Sequence, residues 1–241
     1  MKVAGATALV TGASQGLGRC LATHLASCGA RVYLTARNEA NLSAACDAIR
    51  RAGGECRYRP SDLRDAASLE ALADAIRTEW GGVDLLINNA ADVTSKPLLD
   101  TSLEAIAALV GANVTGCLQL TRLIAPMMIE RGRGVVVNVS SLAGCKPNPT
   151  QTVYSVTKTA VNGFSEALRA ELRATPVRVL NVPLSSVATG EVARPGQVGA
   201  EEVARRIARA IELERAELYL SSATKWLMRV YHLFPGLMRL R

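Results

Sequence analysis

The stretch TALVTGASQGLG (residues 7–18) decides the fold, because an apolar strand runs into a glycine-rich turn and then into a helix. Gly12 permits a tight turn, while Gly16 and Gly18 let the backbone approach a phosphate and let the helix pack on a sheet. The first turn of that helix offers free N–H groups to a pyrophosphate. We interpret the stretch as the start of a dinucleotide-binding βαβ unit, with a glycine-rich turn that holds no ligand as the alternative.

Strand-like and helical segments alternate along the rest of the chain. The predicted strands cover residues 7–11, 31–35, 55–59, 83–88, 134–140, 177–182 and 217–220. The predicted helices cover residues 16–27, 38–52, 65–79, 102–131, 152–173 and 201–214. This alternation predicts an α/β fold, a Rossmann-type doubly wound parallel sheet of about seven strands with helices on both faces. We expect one dinucleotide-binding catalytic domain (residues 1–220) and a basic amphipathic C-terminal tail (residues 221–241).

The composition excludes several classes of protein. Apolar residues make up 49% of the 241 residues and aromatic residues only 4%, which suits a covered parallel sheet rather than a β-sandwich. The six cysteines form no C-x-x-C pair and there are two histidines, so we expect no metal site and a reducing compartment. No charged-then-apolar leader precedes the first strand and no apolar run reaches ~18 residues, so we expect a cytoplasmic protein that is neither exported nor transmembrane. The helix at residues 201–214 alternates acids and bases, and nothing predicts a nucleic-acid partner.

Polar side chains follow the second and third predicted strands, whose carboxyl ends meet at one edge of a parallel sheet. Many dinucleotide folds place an acid after the second strand for the adenosine ribose, but this chain has Ala36 and Arg37. An arginine pairs well with a 2′-phosphate, so Arg37 favours NADP(H) over NAD(H), with a solvated loop arginine as the alternative. Asp62, followed by Leu63, is a candidate acceptor for an adenine amino group. Its alternative role is to start the next helix, which Asp65 could do instead.

The motif NNAA (residues 88–91) follows the fourth predicted strand. At this position Asn89 and Ala90 would lie along a bound cofactor. Equally, the asparagines could satisfy open backbone groups at a strand end, which is a purely structural use.

The stretch VYSVTK (residues 153–158) places Tyr154 and Lys158 four residues apart, on one face of a predicted helix. A free phenol has a pKa near ~10, and a neighbouring ammonium would lower it towards neutral pH. Ser141, at the end of the fifth predicted strand in NVSSLAG (residues 138–144), could hold a substrate oxygen against the tyrosine. The alternatives are coincidence or a solvated helix face.

The motifs TGASQGLG, NNA, NVSS and YSVTK, with Asn113 in GANVTG, resemble those of the short-chain dehydrogenase/reductase family in order and spacing. The resemblance runs from Thr7 to about Leu220. It implies that Ser141 stabilises a substrate oxygen and that Tyr154 is the general acid or base. Lys158 would also hold the nicotinamide ribose, and Asn113 would anchor a proton-relaying water. The cofactor-binding set it implies comprises Gly12, Ser14, Gln15, Gly16, Leu17, Arg37, Asp62, Leu63, Asn89, Ala90, Tyr154, Lys158, Pro183, Val187 and Thr189.

The resemblance also implies an NADP-preferring oxidoreductase that acts on a small carbonyl or alcohol as a homodimer or homotetramer, built on the helices near residues 102–131 and 152–173. The chain departs from the family pattern at Ala91 and Leu184, each in place of a glycine, and at Thr189, which stands one residue late. If Leu184 narrows the nicotinamide pocket, the alternative function is a dinucleotide-binding sensor or membrane-associated scaffold with little turnover.

The tail contains the stretch TKWLMRVYHLFPGLMRLR (residues 224–241). As a helix it places apolar Trp226, Val230, Leu233 and Leu237 on one side and basic Lys225, Arg229 and His232 on another. This pattern predicts either contact with the inner face of a membrane through residues 223–241, or packing on the substrate cleft or another subunit. A membrane contact would favour a lipophilic substrate.

Overall fold

The structure of the protein, a computed structural model, describes residues 1–188 and 197–233, without the side chains of residues 227, 229 and 231–233. Its strands are β1 (Thr7–Thr11), β2 (Arg31–Thr35), β3 (Cys56–Tyr58), β4 (Leu85–Asn88), β5 (Gly134–Ser141) and β6 (Val177–Leu184). They form one parallel sheet in the order β3-β2-β1-β4-β5-β6. The order reverses between β1 and β4, and sheets of this kind bind ligands beyond the carboxyl ends of their strands near this reversal.

Helices cover both faces of the sheet. They are α1 (Gly16–Ser27), α2 (Glu39–Arg51), α3 (Ala66–Trp80), α4 (Leu103–Val110), α5 (Gly116–Glu130), α6 (Thr152–Glu171), α7 (Ala200–Glu212) and α8 (Ser222–Leu233). Helices α1, α2 and α7 enclose one apolar core, and α3, α5 and α6 enclose the other. Successive side chains of a strand point to opposite faces, so Val10 of β1 enters the first core and Leu9 enters the second. The predicted doubly wound α/β fold is confirmed.

The prediction of a seventh strand at residues 217–220 is wrong. Within the described part of the chain, Glu217 forms only an isolated bridge to Asn181 of β6. The Asn181 amide donates to the Ala216 carbonyl (3.0 Å) and the Leu218 amide donates to the Asn181 carbonyl (2.9 Å). Leu218 is buried in the first core, so its apolar character serves packing in a loop. A separate short pair is formed by β7 (Val187–Ala188) and β8 (Val198–Gly199).

The predicted helix at residues 102–131 is divided by a wider π-turn, Gly111–Thr115, between α4 and α5. Turns of this kind are frequent at functional sites. The stretch Leu103–Glu130 is long and apolar enough to cross a membrane by length and composition. However, Leu120, Ile124 and Met128 are buried against the sheet. Because a helix that covers a sheet passes the same test, this stretch is only weak evidence for a span.

One buried carboxylate joins several elements at the amino ends of the strands. Asp84 precedes β4, and its oxygens accept hydrogen bonds from the Thr7 amide (2.9 Å) and hydroxyl (3.2 Å). They also accept from the guanidinium groups of Arg131 (3.0 Å) and Arg133 (2.9 and 3.0 Å). Burial alone would raise the pKa of Asp84, but the bonds from Arg133, Arg131 and Thr7 outweigh burial and the pKa lies below its ordinary value. Asp84 therefore binds β1 to the segment between α5 and β5 as a charged group.

The C-terminal helix α8 presents both polar and apolar groups. Trp226 is 67% exposed and Lys225 is exposed, whereas Met228 is buried. Leu237 and the rest of the tail from residue 234 lie outside the described residues, as do the side chains of Arg229, His232 and Leu233.

Candidate active site

The turn after β1 is shaped for close approach of two backbones. Gly12 has a φ of 65°, in the left-handed region, and a Cβ at this position would lie 2.9 Å from the Cα of Ala90. Helix α1 begins at Gly16, and in the described chain the Gln15 side chain does not cap it. The first N–H groups of α1 are therefore available to a ligand at this turn.

Thr11 and Asn89 hold the ends of β1 and β4 together beside this turn. The Thr11 hydroxyl accepts hydrogen bonds from the amides of Asn89 and Ala90, both at 3.0 Å. The Asn89 side chain in turn donates to the Thr11 carbonyl (2.9 Å). The structural use of Asn89 that the sequence left open is therefore present. Asn89 shapes the wall of the site, and its contact with a cofactor stays a prediction.

A cavity of about 700 Å³ lies over the carboxyl ends of β1, β2 and β4 and beside the loop after β3. Its volume is within the ~300–1,000 Å³ typical of small-molecule sites. Every cofactor-binding candidate from the first four strand ends lines it: Gly12, Ser14, Gln15, Gly16, Leu17, Arg37, Asp62, Leu63, Asn89 and Ala90. The lining also includes residues that the sequence analysis did not name as cofactor-binding candidates, among them Thr35, Asn38, Asn41, Ser61, Asp92 and Ala112.

The two acids after β3 have different partners. Asp65 caps α3, because its carboxylate accepts a hydrogen bond from the Ala67 amide (3.0 Å). Asp62 instead forms a salt bridge with Arg64 (2.6 Å). The hydrogen bond from Arg64 is the main reason why the pKa of Asp62 lies below its ordinary value. Asp65 thus starts the helix and leaves Asp62 on the cavity wall, where its predicted contact with adenine stays a prediction.

Arg37 forms a salt bridge with Asp92 (3.0 Å) across the cavity. Asp92 in turn is held by Asn113, whose side chain accepts from the Asp92 amide and donates to its carbonyl, both at 2.8 Å. The side-chain amide of Asn113 also donates to the Thr157 hydroxyl (3.1 Å). The sequence contained one signal for Asp92, an acid directly after NNAA, but only the strand order shows that it faces Arg37.

Tyr154 and Lys158 lie on the same side of α6. The Lys158 ammonium is 5.7 Å from the centroid of the Tyr154 ring and donates a hydrogen bond to the Val139 carbonyl (2.9 Å). Lys158 is only 4% exposed, whereas Tyr154 is half-buried. The solvated helix face that the sequence left open is therefore excluded for Lys158.

The predicted lowering of the Tyr154 pKa is wrong for the protein alone. Burial raises the pKa of the phenol, and the hydrogen bond with Ser141 opposes this effect without cancelling it. Burial also lowers the pKa of Lys158 to about 8, against a smaller opposing effect of the Cys117 thiol. Both groups are removed from water, and burial is the largest effect on each pKa.

The two serines at the end of β5 point in different directions. Ser140 is buried and its hydroxyl donates to the Lys158 carbonyl (3.2 Å). Ser141 faces Tyr154, and its oxygen accepts from the Ala143 amide (3.1 Å). Gly144 allows the following turn to touch α6, since a Cβ there would lie 2.5 Å from the carbonyl carbon of Lys158. These contacts bring Ser141, Tyr154 and Lys158 together.

The end of β6 lies beside the serines, with Pro183 opposite Ser140 and Leu184 opposite Ser141. Leu184 is 6% exposed, packs in the first core and is not among the residues that line the 700 Å³ cavity. Val187 is half-buried in β7. Thr189 lies outside the described residues, and the cofactor contacts of Pro183 and Val187 stay predictions.

Comparison with known proteins finds a family model and close relatives. Residues 6–196 match the family model described as short chain dehydrogenase. Ketoacyl reductase HetN from Nostoc sp. is 37% identical over 192 residues, which cover 80% of this chain. The match spans 65% of that curated relative, slightly less than two thirds of its length.

Two solved structures resemble the whole fold. A metagenomic short-chain oxidoreductase in complex with NADP has a TM-score of 0.82 and 33% identity, covering 90% of this chain and 97% of that chain. A short-chain dehydrogenase/reductase from Burkholderia phymatum in complex with NAD has a TM-score of 0.88 and 28% identity, covering 99% and 96% of the two chains.

Proposed function

This chain belongs to the short-chain dehydrogenase/reductase family, and we propose that it is an NADP(H)-dependent oxidoreductase that interconverts a carbonyl group and an alcohol. The observation that carries the proposal is the meeting of Ser141, Tyr154 and Lys158 at the sheet edge that also carries the glycine-rich cavity. Proton transfer and cofactor binding would then occur at neighbouring strand ends.

The cavity fits a dinucleotide. Gly12 leaves space that a Cβ would fill, and the start of α1 supplies N–H groups for a pyrophosphate. Arg37 supplies a cation for a 2′-phosphate. The related oxidoreductase in complex with NADP supports this choice of cofactor. When bound, the nicotinamide cofactor would supply or accept the hydride.

Tyr154 would move the proton. Because burial raises the pKa of its phenol, the group is protonated at neutral pH and can donate to a carbonyl oxygen. The Ser141 hydroxyl, which is hydrogen-bonded to the phenol, can hold the same oxygen. The protonated phenol is the form that carbonyl reduction requires.

Lys158 would compensate the negative charge that proton donation leaves on Tyr154. With a pKa of about 8 its side chain is mostly cationic at neutral pH and becomes neutral above that value. A buried cation 5.7 Å from the ring stabilises a phenolate more than it would in water. Asn113 contacts Thr157, between the two residues on α6, which supports its proposed place in a proton relay.

A lipophilic substrate is the proposed substrate class. The segment after β4 is linked to the start of α6 by a hydrogen bond from Gln151 to Ser95 (2.8 Å). This segment and the start of α4 expose Val93 (59%), Leu99 (96%) and Leu103 (79%). These exposed apolar side chains, on a segment that is joined to the start of α6, support binding of an apolar substrate chain.

The test is a panel of ketones, aldehydes and 3-oxoacyl thioesters of graded chain length, assayed with NADPH; the thioesters are included because one relative is named a ketoacyl reductase. We expect the specificity constant to rise with chain length. Equal values for short polar and long apolar substrates would contradict a lipophilic substrate. NADPH binding without reduction of any member would favour the alternative, a dinucleotide-binding sensor.

A homodimer or homotetramer is the proposed assembly. Val110 on α4, Leu118 and Ile129 on α5 and Val156 on α6 are apolar and 37–60% exposed. A second copy could cover these residues, which supports the predicted interface on the long helices. Sedimentation of the wild type and a Leu118→Glu, Ile129→Glu variant tests this, and unchanged sedimentation would exclude the interface.

The tail remains a proposed peripheral contact with the inner face of a membrane. The exposed Trp226 beside Lys225 on α8 supports it. The six cysteines are free thiols, which supports a reducing, cytoplasmic location. Flotation with anionic vesicles, with and without residues 223–241, tests the contact, and equal flotation would exclude it.

A further inference from the structure

The Arg37–Asp92 ion pair spans the 700 Å³ cavity from one side to the other. Arg37 follows the end of β2 and Asp92 follows the end of β4, while β1 lies between these two strands. The salt bridge of 3.0 Å therefore passes over the carboxyl end of β1, where the glycine-rich turn begins. Both side chains line the 700 Å³ cavity, so a ligand that fills this end must meet the pair.

The two partners of this pair differ in freedom. Asp92 is anchored, because the buried Asn113 side chain binds its amide and its carbonyl, both at 2.8 Å. Arg37 is a long side chain that is 55% exposed. Displacement of the pair by a ligand would thus move Arg37 and leave the Asp92 carboxylate in place on the cavity wall.

The other acid of this region is already paired. Asp62 binds Arg64 through a salt bridge of 2.6 Å, and Arg64 also donates its amide to the same carboxylate (3.0 Å). Arg37 is the cation that the structure places on Asp92. The Asp92 carboxylate therefore forms its salt bridge with the same guanidinium that would bind a 2′-phosphate, while Arg64 also acts on it electrostatically.

We propose that Asp92 is a specificity-determining residue whose carboxylate competes with the 2′-phosphate of NADP(H) for Arg37. The chain lacks an acid at the end of β2, but the fold brings one to the same place from the end of β4. NADP(H) must take Arg37 from Asp92 for its 2′-phosphate and then places that phosphate near the remaining carboxylate, whereas NAD(H) has no group that competes with Asp92 for Arg37. Asp92 thus reduces the preference of the protein for NADP(H) over NAD(H). This inference rests on the proposed function, because it assumes that the groove binds a nicotinamide dinucleotide.

The expected effect is moderate, since exposed ion pairs are weak and their partners regain water on separation. Removal of the Asp92 charge should tighten NADPH binding by about 3- to 10-fold, through the free Arg37 and the loss of repulsion. NADH has no 2′-phosphate, so its dissociation constant should change by less than about 2-fold.

The experiment is a fluorescence titration of the full chain with NADPH and with NADH, without substrate. The variants are Asp92→Asn, which removes the charge, and Asp92→Glu, which keeps it. Glu130→Gln is the matched control, because it removes one negative charge from an exposed pair with Arg77 (3.7 Å) outside the cavity lining. Urea unfolding of each variant confirms that it is folded to the same extent as the wild type.

The proposal is supported if Asp92→Asn raises the ratio of NADH to NADPH dissociation constants about 3- to 10-fold while Asp92→Glu and Glu130→Gln keep the wild-type ratio. It is overturned if Asp92→Asn leaves this ratio unchanged, or if Asp92→Glu changes it as much, since shape rather than charge would then be responsible. If the wild type binds neither nucleotide, the proposed function itself fails. If it binds NADPH and the ratio does not respond, only this inference fails.

Discussion

Each of the two edges of the sheet buries an ionisable side chain, but one edge stabilises its charged form and the other destabilises it. At the amino edge, Asp84 is fully buried and receives hydrogen bonds from Thr7, Arg131 and Arg133. At the carboxyl edge, Lys158 is 4% exposed and donates to the neutral Val139 carbonyl. The pKa of Asp84 is lowered, so the protein favours its charged form. The pKa of Lys158 is lowered to about 8, so the protein disfavours its charged form.

This contrast separates a charge that stabilises the fold from one that we propose to act in catalysis. A buried ion stabilises a fold only when its partners replace the water that it loses, as the arginines do for Asp84. Lys158 lacks a comparable carboxylate among its described partners and opposes folding as a cation. Burial also raises the pKa of Tyr154, so burial disfavours the charged forms of both the phenol and the lysine at this edge of the sheet.

The largest expected effect is at the carboxyl edge. Tyr154→Phe keeps the ring and removes the proton donor, so turnover should fall about 10²–10⁴-fold while NADPH binding changes little. Steady-state rates and fluorescence titration measure the two quantities. Tyr33→Phe, which removes a buried phenol on β2 in the other half of the sheet, should leave turnover near that of the wild type. Turnover of Tyr154→Phe within about tenfold of the wild type would refute the acid role.

The next effect is at the amino edge and concerns stability. Asp84→Asn should lower the free energy of unfolding at pH 7 by about 2–4 kcal/mol, because it removes the charge that Arg131 and Arg133 bind. The folded pKa of Asp84 is below its unfolded value, so its contribution is complete above pH ~3.9 and is lost as the pH falls further.

Urea unfolding at several pH values measures this difference, which should shrink in acid. Glu130→Gln breaks an exposed pair and should change stability by less than about 1 kcal/mol. An Asp84→Asn variant as stable as the wild type at pH 7 would mean that the two edges do not differ as described.

Lys158→Met is expected to change the free energy of unfolding in the opposite direction, by stabilising the protein. The folded pKa, about 8, lies below the unfolded value near ~10.4, so wild-type stability should rise with pH between these values. Below pH ~8 the methionine variant should be more stable than the wild type by about 1–3 kcal/mol, although it should be nearly inactive. Urea unfolding from pH 7 to pH 10 without nucleotide measures both the sign and the slope. Equal slopes in the two proteins would show that Lys158 is not destabilised by burial.

The smallest expected effects concern stability and compare two acids at the carboxyl edge, Asp65 and Asp62. Asp65→Ala removes the cap of α3 and should reduce stability by about 1 kcal/mol. Asp62→Ala removes an exposed pair with Arg64 and should change stability by less than about 0.5 kcal/mol, even though Asp62 lines the cavity. Thermal unfolding of the two variants makes the comparison. The reverse order would show that Asp62, and not Asp65, is the structural residue.

Local patterns predicted the positions of two parts of the candidate site. The glycines of residues 12–18 act within one turn, and the spacing of Tyr154 and Lys158 is one helical turn, so neither depends on distant contacts. Both were found where they were expected. The apolar run at residues 217–220 misled the prediction, because a short apolar segment looks the same in a strand and in a packed loop.

Three properties of the molecule could be read from residues close together in the chain: the alternation of strands and helices, the glycine-rich turn after β1, and the shared helix face of Tyr154 and Lys158. Each depends on backbone dihedral angles and on the helical repeat, which neighbouring residues set. The pairing of Arg37 with Asp92, the burial of Leu184 in the core and the upward shift of the Tyr154 pKa emerged only in three dimensions. Contact and desolvation depend on every atom within a few ångströms, and most of those atoms belong to residues far away in the chain.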